Sequence, residues 1–317
     1  LYKSAWAVAQ AGDRETAAKL LTTFIDGYPR DPCICEALTL RGDMYAKTKK
    51  ETEALQDFDR VIARWPKEES AAPAWQRAAQ IHAGRQDLAN MAKYYEGLIK
   101  NFPKTSPAAL AEAHFLLGRA AFDQGDFQSS ISHMSEAKTL DPQKYGEQVN
   151  VLTVLSYHKL QDVNKLKETL ETLQKENPAA VSRVPDVIPA WLGLQAYGMK
   201  DLETADKYMT WATQNDQLQN VKKVIWRNLA KVRLALKKYD RALVASNNFL
   251  KVEDQPYRRA DGMLDKASIL LGLGKYAEAR KTAEEALALG VEGPLMASLK
   301  IVLGDISYAE KKFDEAA

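Results

Sequence analysis

The chain has 317 residues, of which 46% are hydrophobic and 27% are charged. Its 44 basic and 42 acidic residues leave a net charge of only +2, and both signs are spread along the sequence. A chain without a strongly charged region has no field that would attract nucleic acid or an anionic membrane surface. The longest uncharged stretch, 187–199, is too short to span a bilayer, so no transmembrane helix is predicted.

A pattern of small residues recurs along the whole chain and predicts a repeat protein. The stretch 113–127 has the character of a helix that Gly125 breaks, and a second helix follows and ends at Pro142. Small residues at Gly118, Ala121 and Ser130 let these two helices approach closely. In register with Gly118, at nearly constant spacing, stand Ala5, Gly42, Ala79, Val154, Gly193, Ala230, Ala267 and Gly304. We therefore expect one elongated solenoid of helix-turn-helix units rather than separate globular domains.

The units follow one another in chain order, each with an A helix before its turn and a B helix after it. Their approximate limits are 1–29, 35–66, 72–103, 111–142, 147–178, 186–217, 223–254 and 260–291, followed by a truncated unit at 297–317. No glycine marks the turn of the third unit, so residues 85–87 must form it. The linker 178–186 contains two prolines and is where a bend is expected. Because the sequence starts without methionine and stops within a repeat, we expect it to be a fragment.

Residues that could carry chemistry are few and scattered. The only cysteines, Cys33 and Cys35, stand at a predicted helix start, and two thiols cannot enclose a metal. We interpret them as incidental, and leave a strained local disulfide or a redox role as alternatives. The four histidines lie far apart in sequence, and the common nucleophile, metalloprotease and phosphate-binding motifs are absent. We therefore expect no metal, no cofactor and no enzymatic activity from these residues.

The repeat resembles the tetratricopeptide repeat family, whose motif runs from a large residue through Leu-Gly, Tyr, Ala, an aromatic residue and Ala to Pro. The second unit supplies Leu38, Gly42, Tyr45, Ala54, Phe58 and Pro66, and the fourth supplies Leu117, Gly118, Gly125, Phe127, Ala137 and Pro142. The resemblance covers essentially the whole chain, although its units are slightly longer than is usual for the family. It implies an all-α fold, a right-handed superhelical solenoid of about eight to nine helix-turn-helix repeats. The turns at 28–29, 65–66 and 102–103 are similar in style to those of bacterial cell-envelope members.

In such a solenoid the A helices line the inner, concave face, where a peptide, a helix or another protein can bind. The inner-face positions predict a row with aromatic and aliphatic anchors in units four to six and a cationic end in unit seven. The row comprises Phe115, Arg119, Phe122, Val151, Leu155, His158, Ala190, Leu194, Tyr197, Arg227 and Lys231, with Trp191 beside it. For each of them the alternative is that the side chain packs in the core. The family's arrangement of Lys and Asn that holds a C-terminal carboxylate is not reproduced.

Two classes of function stay open at this point. The first is a non-catalytic scaffold that binds a protein or peptide partner, in a bacterial cell-envelope complex or another assembly. The second is a regulatory or substrate-recruiting region of a larger enzyme, secretion or signalling protein. A periplasmic or outer-membrane-associated location is favoured and a cytoplasmic location is the alternative. The partner's identity and the oligomeric state are left unassigned.

Overall fold

The computed structural model describes residues 1–214 and 219–312. Within these ranges the chain forms α-helices joined by tight turns, with short 3-10 helices at Glu69–Ala71 and Pro178–Arg183 and no strand. The α-helices are α1 (Tyr2–Gln10), α2 (Arg14–Gly27), α3 (Ile34–Lys47), α4 (Glu51–Arg64), α5 (Ala72–Gly84), α6 (Leu88–Asn101), α7 (Pro107–Asp123), α8 (Phe127–Leu140), α9 (Pro142–Lys159), α10 (Val163–Glu176), α11 (Val187–Gly198), α12 (Leu202–Thr213), α13 (Gln219–Ala235), α14 (Tyr239–Val252), α15 (Pro256–Gly272), α16 (Tyr276–Leu287) and α17 (Gly293–Ala309).

Odd-numbered helices correspond to the predicted A helices and even-numbered helices to the predicted B helices. Hairpins such as α3 with α4, α7 with α8 and α13 with α14 pack side by side, and each stacks on a neighbouring hairpin in chain order. The predicted all-α fold of repeated helix pairs is confirmed. The predicted ninth unit is represented by α17, and Phe313 and Ala316, which were predicted to belong to its B helix, lie outside the described residues.

The chain forms two compact units. The first consists of Leu1–Asp162 and Thr169–Ala180, and the second of Val163–Glu168 and the chain from Val181 onward. In the first unit a continuous hydrophobic core extends from α1 to α7. In the second unit one core cluster extends from α11 to α15 and another from α15 to α17. Within each unit, neighbouring hairpins therefore bury their apolar faces against one another, as repeat proteins require.

At Gly42, Gly118 and Gly193, three of the nine residues that set the predicted register, an added Cβ would stand 3.0 Å or less from a side chain of the partner helix in the hairpin. Eight of the nine positions are buried, and Gly304 on α17 is half-buried. Among the described glycines, the tightest approach to a neighbouring backbone is at Gly193, where a Cβ atom would stand 2.9 Å from the backbone nitrogen of Met209 on α12. That separation is shorter than ordinary van der Waals contact, so only glycine fits there.

Nine turns that follow odd-numbered helices each contain one residue with a φ between 57° and 91°. These residues are Gly12, Lys49, Gln86, Gly125, Gln161, Lys200, Lys237, Gly274 and Lys311. In most of these turns the N–H of the next residue donates to the carbonyl oxygen five positions earlier, as at Asp87 and His82 with 2.9 Å, which closes the helix. Gln86 therefore forms the turn of the third repeat, as predicted. The left-handed conformation costs a residue with a side chain about 1–2 kcal/mol, so packing of the helices must hold these turns.

Candidate partner-binding groove

The predicted site residues of the first unit differ in their exposure. Phe115 on α7 is buried and stacks on Tyr145 of α9, with ring centroids 4.6 Å apart. Phe122 is half-buried against Phe127 at the turn into α8, and Arg119 is exposed. Val151, Leu155 and His158, on α9, are half-buried. Phe115 thus contributes to the core, whereas a role in binding stays a prediction for the others.

In the second unit the predicted residues on α11 and α13 come closer together. Ala190 is buried in the core between these helices, while Leu194 and Tyr197 are half-buried and pack against it. Trp191 is also half-buried. Tyr197, together with Arg227 and Lys231 on α13, lines one groove. Three residues of the predicted row are therefore brought together by the fold.

This groove, called the α13 groove below, has a volume of about 500 Å³. Its described lining residues are Tyr197 from α11, Lys223, Val224, Arg227, Asn228 and Lys231 from α13, Phe249 and Glu253 from the α14 end, and Arg258 from α15. Three cations on α13 are spaced by four residues and so stand on one face of the helix, about 6 Å apart along its axis. Because α13 contacts both α11 and α15, the groove lies on the side where the odd-numbered helices meet.

Carboxylates hold these cations from the side of α14 and α15. Arg227 forms an ion pair with Asp261, and the Nζ of Lys231 lies 3.8 Å from the Oδ2 of Asp265. Neither aspartate is among the lining residues of the α13 groove. The side chain of Asp265 is 14% exposed, against 32% for that of Lys231. Arg227 and Lys231 thus line the groove while each is paired with a carboxylate of α15 that does not line it.

Lys223 pairs with two carboxylates that follow α14, whereas Arg227 and Lys231 pair with carboxylates of α15. The Nζ of Lys223 lies 3.2 Å from the Oδ1 of Asp254 and 4.0 Å from the Oε1 of Glu253. The side chain of Glu253 is 3% exposed, whereas that of Asp254 is 84% exposed. Exposed ion pairs of this kind contribute about 0–1 kcal/mol and exchange readily with water. Lys223 is therefore the most easily released of the three α13 cations.

Asp265, the ion-pair partner of Lys231, is a buried carboxyl whose charged form is disfavoured by desolvation. Burial raises the pKa of this carboxyl to about 6, and the nearby charges of Lys231 and Arg227 lower it only in part. Asp265 Oδ2 and Arg227 Nε are buried and make no hydrogen bond with the residues that the structure describes. The ion pairs behind the groove are therefore incompletely satisfied in hydrogen bonding.

The chemistry of the groove is that of a hydrogen-bond donor surface. Among the described residues its lining carries four cations and one carboxylate, and Arg258 makes no ion pair with any described residue. Lysine and arginine side chains donate hydrogen bonds but accept none. A ligand with acceptor oxygens would complement these donors. Between residues 1 and 214 and between 219 and 312, no group of three or more His, Cys, Asp or Glu side chains could hold a metal ion.

A second groove, in the first unit, shows a different balance of charge. It lies between α3 and α5, has a volume of about 330 Å³, and is lined by Asp43, Lys47, Glu51 and Arg77 among others. Arg77 Nε lies 3.2 Å from the Oδ1 of Asp43, whose pKa is raised by burial. Two acidic and two basic side chains line this groove, so it favours neither sign of ligand charge.

The sequence analysis did not identify Lys223, Arg258 or the carboxylates behind the cations. One signal would have found the carboxylates. Arg227 and Asp261 have the same separation in sequence as Lys231 and Asp265, and each pair joins neighbouring odd-numbered helices. The same separation recurs between Asp43 and Arg77 in the first unit. Opposite charges one repeat apart therefore mark contacts between consecutive repeats in this chain.

Comparison with known proteins identifies the family of the repeat. Sequence models of the tetratricopeptide repeat match residues 2–69 and 264–317, and a second model of the same repeat matches residues 111–144. No curated protein matches the sequence significantly. In the described ranges, no helix has the length and apolar character needed to cross a membrane.

Several solved structures share the helical repeat. A tetratricopeptide repeat protein from Parabacteroides merdae has 12% identity and a TM-score of 0.44, with 96% of each chain covered. MamA from Desulfovibrio magneticus has 20% identity over 56% of this chain and 96% of its own, with a TM-score of 0.41. Yeast Tom70 has 16% identity over 94% of this chain and 58% of its own, with a TM-score of 0.35. These superpositions are loose, so the assignment depends on the sequence matches and on the repeated hairpins described above. On that basis the chain belongs to the tetratricopeptide repeat family.

Proposed function

We propose that this protein is a non-catalytic scaffold that binds a peptide, a helix or another protein on the side of its odd-numbered helices, with the α13 groove as the contact site of the second unit. Tetratricopeptide repeats are protein-interaction modules, so a scaffold for protein partners is the function that the family indicates. The half-buried residues on α7 and α9 are candidates for a further contact in the first unit.

The observation that carries this proposal is the arrangement of charge in the α13 groove. Two of its cations, Arg227 and Lys231, are paired with carboxylates of α15, and these pairs restrict their orientations before a partner arrives. A surface that is ordered in advance loses less side-chain entropy on binding. Tyr197 and Val224 add apolar contact area beside the donors. Partners commonly bind most tightly where aromatic and charged side chains meet in this way.

Site-specific photo-crosslinking tests where the partner binds. A photoreactive residue in place of Val224, which is 50% exposed and lines the α13 groove, should capture one defined set of partner proteins in the native cells. The matched control places the same residue at Val244 on α14, which is 56% exposed and is not a lining residue of this groove. The Val224 adducts should disappear when Tyr197→Ala is added, and circular dichroism should stay unchanged.

Two results would contradict the proposal. Adducts from position 244 that match those from position 224 would show that capture does not depend on the groove. Adducts from position 224 that persist at full yield in Tyr197→Ala, with the helical spectrum intact, would place the contact elsewhere.

A bacterial cell-envelope complex is the setting that we propose for this scaffold. The support is the style of the turns Tyr28-Pro29, Trp65-Pro66 and Phe102-Pro103, which resemble those of envelope members of the family. Fractionation of the native cells, with an antibody raised against this chain, provides the test. Recovery in the cytoplasmic fraction alone would overturn the envelope setting without affecting the proposed scaffold role.

A further inference from the structure

We infer that His114 and His133 bind a divalent transition metal ion, of which Cu²⁺ fits best, through their Nδ1 atoms. The site belongs to α7 and α8 of the first unit and does not depend on the α13 groove. Three features support it, namely the distance between the two nitrogens, the charge state of the imidazoles and the carboxylates around them.

The fold brings together two histidines that are 19 residues apart in sequence. His114 lies on α7 and His133 on the partner helix α8, where the helices approach closely at Gly118, one turn after His114. The ring centroids are 5.2 Å apart, and the Nδ1 atoms face each other across 3.0 Å. Both side chains are half-buried. Packing therefore restricts the rings while part of each stays open to solvent.

The separation of the nitrogens is that of two ligands on one ion. With metal–nitrogen bonds of about 2.0–2.1 Å, ligands at a right angle are about 2.8–3.0 Å apart, and ligands at the tetrahedral angle are about 3.3–3.4 Å apart. The observed 3.0 Å matches a right angle. Square-planar and tetragonal sites of Cu²⁺ have such angles, and Cu²⁺ has the highest affinity of the divalent first-row metals for nitrogen ligands. Rotation of each ring about its Cβ–Cγ bond turns both lone pairs toward the ion.

Both imidazoles are suited to act as ligands at neutral pH. Burial lowers the pKa of His114 and of His133, so each ring is uncharged near pH 7. An uncharged imidazole keeps one lone pair, which a metal ion requires. Within the pair, one Nδ1 carries a proton and donates it to the other. When an ion binds, that ring carries its proton on Nε2 instead, so both Nδ1 lone pairs become available.

The charges that act on the pair from the described residues favour a cation. They are the carboxylates of Glu96 on α6, Asp126 at the start of α8 and Glu136 one turn beyond His133. Glu96 and Glu136 are exposed and make no ion pair with any described residue. Their negative field attracts a metal ion to the two nitrogens. Water completes the coordination, because the described ranges contain no group of three or more potential ligand side chains.

Copper titration followed by pulsed EPR tests the inference. The protein is the full chain without a histidine tag and with Cys33→Ser, because a half-exposed thiol would bind and reduce Cu²⁺. The modulation from the ring nitrogens remote from the ion counts the imidazoles that are bound. His133→Gln removes one ligand, and His158→Gln, at another half-buried histidine on α9, is the matched control. Glu136→Lys places a positive charge beside the pair and leaves both rings in place.

We expect one Cu²⁺ per chain, bound by two imidazoles. His133→Gln should weaken binding about ten-fold or more with an unchanged helical spectrum, and Glu136→Lys should weaken it about three-fold, as is usual for a charge near the surface. His158→Gln should leave it unchanged. A wild-type signal from fewer than two imidazoles would overturn the inference, and this result needs no variant. Equal losses in His133→Gln and His158→Gln would also overturn it, as would displacement of Cu²⁺ by excess Ca²⁺, which prefers oxygen ligands.

Discussion

Replacing Gly193 with alanine is the most direct test of how the helices pack within a hairpin. The added Cβ would stand 2.7 Å from Met209 Cγ and 2.9 Å from Met209 N. Carbon atoms in good contact are about 3.5–4.0 Å apart, so α11 and α12 must separate by several tenths of an ångström or more. The Met209 side chain can rotate, but its backbone nitrogen cannot move without the helix. Overpacking of this kind costs about 1–3 kcal/mol.

Gly198, five residues further along the same helix, provides the matched control. A Cβ there meets nothing within 4 Å. Gly198→Ala should therefore be neutral or stabilise by up to about 1 kcal/mol, because alanine favours the helix over glycine. Both substitutions change the same chemical group, so the difference between them isolates the packing cost. At about 2–4 °C per kcal/mol, thermal unfolding followed at 222 nm should separate the two variants by several degrees. Equal midpoints would refute the close contact at Gly193.

Three further predictions concern buried charge. The Nδ1 atoms of His114 and His133 lie 3.0 Å apart, and burial lowers the pKa of both side chains. As the pH drops from about 7 to 5, these histidines bind protons in the unfolded chain before they do so in the folded one. The free energy of unfolding should therefore fall over this range. Urea unfolding should show a smaller fall in His133→Gln. The raised pKa of Asp265 acts in the opposite direction: stability should fall as the pH rises from about 4 to 6, and Asp265→Asn should flatten that slope. Asp206→Ala should cost about 3–5 kcal/mol in thermal unfolding, because it removes the partner of buried Arg233.

Each of these predictions has an outcome that contradicts it. An unchanged pH slope in His133→Gln would show that the histidine pair does not drive the acid sensitivity. A profile in Asp265→Asn that overlays the wild type would show that this carboxyl titrates normally. For Asp206 the control is Lys165→Ala, which removes an exposed pair with Glu168 and should change stability by less than about 0.5 kcal/mol. A loss as large as that of Asp206→Ala would contradict the distinction between buried and exposed pairs.

The sequence predicted the hairpins well because their signals are local. Small residues recur at a nearly constant spacing, and eight of these nine positions are buried. The candidate site was harder to predict. A change of one position turns a helical side chain by about 100°, which is enough to move it from the groove into the core. Phe115 shows the effect, because it was placed in the binding row and lies buried against Tyr145.

The groove also depends on contacts between repeats, which a single repeat motif does not contain. Lys223 is the first residue of its unit and precedes the inner-face positions used for the prediction. Its place in the lining follows from its spacing to Arg227 on α13 and from how α14 ends near it. Asp261 and Asp265 pair with α13 because α15 packs beside it, a contact that the repeat motif does not specify.

Substitutions at the left-handed turns can change the stability of individual repeats one at a time. Six of them carry a lysine or glutamine side chain where glycine would be unstrained, namely Lys49, Gln86, Gln161, Lys200, Lys237 and Lys311. Glycine at such a site removes about 1–2 kcal/mol of strain and adds about 0.5–1 kcal/mol of lost chain entropy. None of the six lines the α13 groove. A series of variants can therefore be made in which individual repeats are more stable and the lining of the α13 groove is unchanged. Comparing partner binding across this series separates the effect of repeat stability from that of the groove's side chains.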